Sequence, residues 1–129
     1  MPAHIYMRTD DYEAAVQANK AGAEADQAYI KSRGGEGIYP IMYYNHNLQF
    51  LAVAYAMEGR FSDAKKAADQ LEAHVGPHVK GMPMLEFFMP TSTLILVRFQ
   101  RWDEILKSPR PDPEMGITNA MWYFARGMA

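Results

Sequence analysis

The sequence predicts an all-α fold assembled from antiparallel helix-turn-helix pairs, and three observations carry that prediction. In the stretch 47–71, NLQFLAVAYAMEGRFSDAKKAADQL, the residues Leu48, Leu51, Ala52 and Tyr55 recur at three- and four-residue steps, which lines one helical face. Beyond Gly59 the same spacing resumes at Ala64, Ala67, Ala68 and Leu71, so two amphipathic helices meet at one glycine. An aromatic followed three residues later by a smaller apolar residue then recurs along the chain, as Tyr12 with Ala15, Phe61 with Ala64 and Trp102 with Ile105. These aromatics open the second helix of each pair and stand 49 and 41 residues apart.

Each element has its own local reason. Residues 1–8 read as the end of a helix whose Ile5 and Tyr6 pack. Asp10 and Asp11 suit a helix start, where carboxylates meet free amides and the positive end of the dipole. The helix over 11–32 carries Tyr12, Ala15, Ala18, Asn19, Gly22 and Ala25 down one side. Gly34, Gly35 and Gly37 make 33–39 a loop, and Pro40 opens the next helix, where its missing N–H is harmless. In the central pair, Ser62 offers a hydroxyl cap to the second helix. Gly76, Pro77, Gly81 and Pro83 mark a second loop, and 84–89 is a short helical turn. Thr91 or Ser92 caps a helix through Leu94, Ile95, Val97 and Arg98, with Gln100 at the turn where glycine stood before. The prolines of SPRPDP, 108–113, forbid helix continuation, and Thr118 caps a last helix carrying Met121, Trp122, Phe124 and Ala125.

The stretch 47–71 resembles a tetratricopeptide repeat, a 34-residue helix-turn-helix unit with large residues, small residues and a turn glycine at fixed steps. Leu48 and Leu51 match its first-helix apolar positions, Ala52 the small position, Tyr55 the aromatic, Gly59 the turn, Phe61 the second aromatic and Ala64 the second small position. Leu71 stands where the family has alanine. More broadly, MPAHIYMR, GIYPIMYYNHNLQFL, VRFQRWDEIL and MWYFARG resemble a group of bacterial tetratricopeptide-repeat proteins. That group has a proline at Asn45, histidines at Gln49 and Tyr123, and a glycine at Gln100. The resemblance implies a short right-handed α-solenoid forming a single domain over 1–129. Its parts are a partial repeat (1–32), a complete repeat (40–74), a degenerate repeat (84–107) and a terminal half-repeat (114–129). Fewer than three complete repeats leave apolar faces at both ends, so self-association or continuation into a longer array is expected.

With 129 residues, 49% hydrophobic and 22% charged, the chain suits one globular core. A net charge of −2 recruits neither nucleic acid nor an anionic membrane. The absence of cysteine removes disulfides and thiolate chemistry and is compatible with the cytoplasm, the expected location. The start lacks a basic segment followed by an apolar core, so no signal peptide is expected, and the run 94–97 is too short to cross a bilayer. Ten methionines suit either a pliable core or an adaptable surface.

Since first helices line the concave face of such a solenoid, the resemblance directs His4, Met7, Arg8, His46, Gln49, Phe50, Val53, Met57, Leu94 and Arg98 into a groove. Two imidazoles and two cations over an apolar floor would suit an acidic or C-terminal peptide segment, so the leading expectation is a non-catalytic protein-interaction scaffold. The family's carboxylate clamp is not expected, because Gln49 and Val53 occupy its positions. The competing expectation is an enzyme or small-molecule binder using Tyr43, Tyr44 and His46, although helical spacing also suits those tyrosines, with Tyr39, to the core. His74 and His78 flank Gly76-Pro77 and could approach, yet no histidine pair has a zinc-protease spacing, so neither metal nor cofactor is expected. Asp10, Asp11 and Glu13 are better explained by capping than by acid–base chemistry. Arg60, Lys65 and Lys66 read as a solvated basic patch. Gly34-Gly35-Glu36-Gly37 follows no strand and lacks a phosphate loop's Lys-Ser or Lys-Thr pair, and no serine has an elbow pattern.

Overall fold

The computed structural model describes residues 2–33 and 40–129, and among these every regular element is helical. The order is α1 (Pro2–Tyr6), α2 (Tyr12–Arg33), a wide π-type turn (Pro40–Tyr44) leading into α3 (Asn45–Met57), and α4 (Phe61–Val75). Tight 3-10 turns at Gly76–His78 and Pro83–Phe88 precede α5 (Thr91–Arg98), α6 (Trp102–Lys107) and α7 (Gly116–Met128). Each helix packs on its sequence neighbours, and α5 also packs on α3 and α7. The glycine-rich segment and Tyr39 lie outside the described residues.

Three helix pairs reverse through the same backbone turn. Gly59 has φ 75°, Gln100 φ 53° and Asp10 φ 60°, all left-handed. After each, the next amide reaches back five residues: Arg60 N to Tyr55 O at 2.9 Å, Arg101 N to Leu96 O at 2.9 Å, and Asp11 N to Tyr6 O at 3.1 Å. This six-to-one bond satisfies a carbonyl that the ended helix leaves free. Asp11 does cap α2, its Oδ1 accepting from Ala14 N at 3.2 Å.

The other expected hydroxyl caps are corrected. Ser62 lies inside the first turn of α4, whose N-cap is Arg60 with no side-chain bond. Arg60 Nε instead donates to the Asp63 carboxylate at 2.9 Å. Thr91 Oγ1 donates backward to Phe88 O at 2.7 Å, and Ser92 Oγ donates to Asp69 Oδ1 at 2.9 Å on α4. Thr118 is a donor: its N at 2.8 Å and its Oγ1 at 3.1 Å both reach Glu86 Oε1. A carboxylate from the Pro83–Phe88 turn thus caps α7, which a reading of adjacent residues cannot find.

Small residues set the packing. Ala15, Ala52, Ala54, Ala64 and Ala68 are wholly buried around Val16, Leu51 and Ile95, which brings α2, α3 and α4 close together. Leu48, Leu71, Val75 and Leu85 form a second cluster, and Leu96, Ile105 and Ala125 a third. Ala25 is exposed rather than inward, because the buried stripe of α2 drifts to Ala23 and Asp26. Gly22 abuts Asn47: a Cβ there would lie 3.0 Å from Asn47 Nδ2, which donates to buried Asp26 at 2.8 Å. Ile5 at one end and Phe124 and Met128 at the other are exposed, and among the described residues no helix is long and apolar enough to cross a membrane.

The shared turn generates a prediction of opposite sign at two equivalent positions. A Cβ at Gly59 would meet nothing within 4 Å, so only backbone strain opposes a side chain there. Gly59→Ala is expected to destabilise, and Gln100→Gly to stabilise, each by about 1 kcal/mol. Urea unfolding of both variants checks this; a Gln100→Gly chain less stable than wild type would refute the strain at that turn.

Candidate functional site

Alternate helices α1, α3 and α5 bring together most of the residues that the sequence nominates, in two adjoining groups. The first is aromatic. His4 on α1 and His46 on α3 approach with Nε2 atoms 3.3 Å apart and ring centres 5.1 Å apart. Phe50, one helical turn after His46, lies 4.4 Å from the His4 ring and 4.5 Å from that of His46. Burial first, then the charge of His4, holds the His46 pKa below the usual histidine value.

The second group is a groove of about 180 Å³ between α3 and α5, lined by Gln49, Val53, Ala56, Met57, Thr91, Leu94, Ile95 and Arg98. The i, i+4 spacing from Gln49 to Val53 to Met57 sets three side chains along one side of it, and Leu94 and Arg98 repeat that spacing opposite. Gln49 Nε2 donates to Thr91 Oγ1 at 3.4 Å, tying the two walls. Arg98 Nε donates to Ala56 O at 3.1 Å and its Nη2 reaches Met57 Sδ at 3.1 Å. Its guanidinium is thereby fixed over the end of α3, and no carboxylate among the described residues pairs with it. Met7 packs on the core beside Tyr6, and Arg8 is exposed in the turn after α1; neither lines this groove.

Tyr43, Tyr44 and His46 diverge. Tyr44 is 4% exposed, and its hydroxyl accepts from Gln27 at 2.8 Å and Gln70 at 2.7 Å. Tyr43 is 51% exposed, and His46 turns to α1. Tyr44 is core, as the spacing allowed, and Tyr43 is not. His74 and His78 do approach, with ring centres 6.2 Å apart. Among the described residues, no three histidine, cysteine, aspartate or glutamate side chains gather as a metal-binding group.

The expected basic patch is instead largely neutralised. Arg60 pairs with Asp63 at 2.8 Å and Glu58 at 3.3 Å, and Lys65 with Asp69 at 2.6 Å. Lys65 and Asp69 also border a feature that sequence reasoning missed, a cleft of about 590 Å³ between α4, α5, α6 and α7. Glu72, Leu96, Lys107 and Trp122 line it too, and the proline-rich connection forms its rim. Burial, then Asp69, raises the pKa of Glu72 there. The only local signal was the i, i+4 pair Lys65–Asp69, which reads equally well as surface charge.

His74 supplies a pH prediction. Asn45 is wholly buried and spends its amide nitrogen on Ile41 O, so its oxygen accepts from His74 Nδ1–H at 2.8 Å. Burial first, then His78, lowers the His74 pKa from 6.5. The unfolded chain therefore binds the proton more readily. Stability is full above about pH 6.5 and is lost as pH falls toward the depressed folded value. The melting temperature should be lower near pH 5.5 than near pH 7.5, and His74→Gln should shrink that gap. An unchanged gap in the variant would remove His74 as its source.

No family model, curated protein or solved structure matches the chain.

Proposed function

We propose that the chain is a short tetratricopeptide-like stack of helix pairs that binds a partner's peptide segment in the groove between α3 and α5. The single observation that carries this reading is that groove itself: apolar, open, and flanked by one cation without a carboxylate partner among the described residues. Val53, Met57 and Leu94 are 40%, 38% and 43% exposed on facing helices, whereas buried alanines do the packing between helices. Apolar side chains left in water on opposing walls lose that exposure when a partner's side chain enters. The three equivalent turns and the contacts of α5 with α3 and α7 support the repeat reading, because they set alternate helices side by side.

The chemistry of the walls defines the segment. A volume of about 180 Å³ takes one or two aliphatic side chains, and the fixed guanidinium of Arg98 favours a carboxylate beside them. The partner is thus an acidic or C-terminal peptide with aliphatic residues next to its negative group. Arg98 also bonds the backbone of α3, so its replacement would mix binding with stability. Val53 and Leu94 give cleaner tests.

A library of short peptides with free C-terminal carboxylates, selected on the immobilised protein, should return aliphatic sequences ending in or containing an acid. Val53→Asp and Leu94→Asp should each weaken the selected peptide by about tenfold or more in fluorescence polarisation, with melting changed little. Equal binding by both variants would place any partner site elsewhere.

A further inference from the structure

Beyond peptide capture, we propose that His4 and His46 form a two-histidine site for a tetrahedral divalent metal ion of the zinc type, bound through both Nε2 atoms. The argument is geometric. Nitrogens held about 2.0–2.1 Å from a tetrahedral zinc ion lie roughly 3.3 Å apart, and their ring centres about 5.2 Å apart. His4 and His46 show 3.3 Å between Nε2 atoms and 5.1 Å between ring centres. The ring planes lie 29° apart, and the two Nε2 atoms face each other at a separation that one ion can span.

The supporting structure holds the rings in place. His46 is set by α3 and His4 by α1, and Phe50 packs against both. His4 is exposed and gives an ion a path from solvent. Among the described residues no third acidic, cysteine or histidine ligand joins them, so water fills the other positions, leaving an open site of the kind that can accept an incoming ligand. Coordination needs both Nε2 atoms unprotonated. The ring that donates in the metal-free pair moves its proton to Nδ1, and no proton is released when both rings are neutral.

The test uses Zn²⁺ in calorimetry and Co²⁺ in visible absorption near pH 7.5, on the intact chain with folding checked by circular dichroism. Wild type should bind one ion per chain, and Co²⁺ should give the intense visible bands of tetrahedral coordination. His4→Gln and His46→Gln should each weaken binding on the order of tenfold or more and abolish those bands. The double variant His74→Gln/His78→Gln should behave as wild type. Absence of saturable one-to-one binding, binding retained in His4→Gln, or loss only in the His74/His78 variant would each overturn the proposal. His4 lies on the surface, so its variant decides the question even where His46→Gln fails to fold.

Discussion

The left-handed residue between paired helices is the constraint on which the rest depends. At Asp10, Gly59 and Gln100 the chain adopts a left-handed φ and closes the same six-to-one bond, so each second helix starts from the same kind of turn. Two residues later an aromatic begins the returning helix: Tyr12, Phe61 and Trp102. The spacing between helix pairs varies because the connections after the second helices vary, while the turns inside the pairs do not. A fixed turn repeated three times makes alternate helices neighbours, and so brings His4 to His46 and Val53 toward Leu94.

Buried polar contacts then fix how the pairs sit against one another. Asn47 meets Asp26 across the α2–α3 contact, where Gly22 leaves room for its amide. The hydroxyl of Tyr44 accepts from glutamines on α2 and α4, and the Asn45 side-chain oxygen accepts a hydrogen bond from His74. An alanine-rich contact tolerates sliding, since one methyl fits much like another. Directional bonds with a penalty for being left unmade do not. These three contacts come from Tyr44, just before α3, and from Asn45 and Asn47 in its first turn, so the start of α3 is the register mark.

This division explains what the sequence made legible. Apolar periodicity and the glycine turn revealed the helix pairs, because both are local and written in adjacent residues. The aromatic spacing even located the third pair, whose turn residue is a glutamine. Helix caps were read poorly: Ser62 stands within the first turn of α4 rather than before it, and the hydroxyls of Thr91, Ser92 and Thr118 go to Phe88 O, Asp69 and Glu86. The groove residues were nominated through the family resemblance; His4, His46 and Phe50 form a group of their own, and Met7 and Arg8 stand apart because a repeat pattern says nothing of how far α1 extends along α3. The large cleft beside Trp122 was invisible, since its walls come from four helices and a connection whose path no periodicity encodes.

Using alanine for the helix contacts also decides where large side chains go. A core of Ala15, Ala52, Ala64 and Ala68 draws the axes together and leaves little interior volume for Val53, Met57 or Leu94. Those residues stand on the flank between α3 and α5, and the two histidines on the flank between α1 and α3. Close packing at the centre and chemically distinctive side chains at the margin are therefore one arrangement. The exposed apolar walls of the groove follow from a core that the alanines fill.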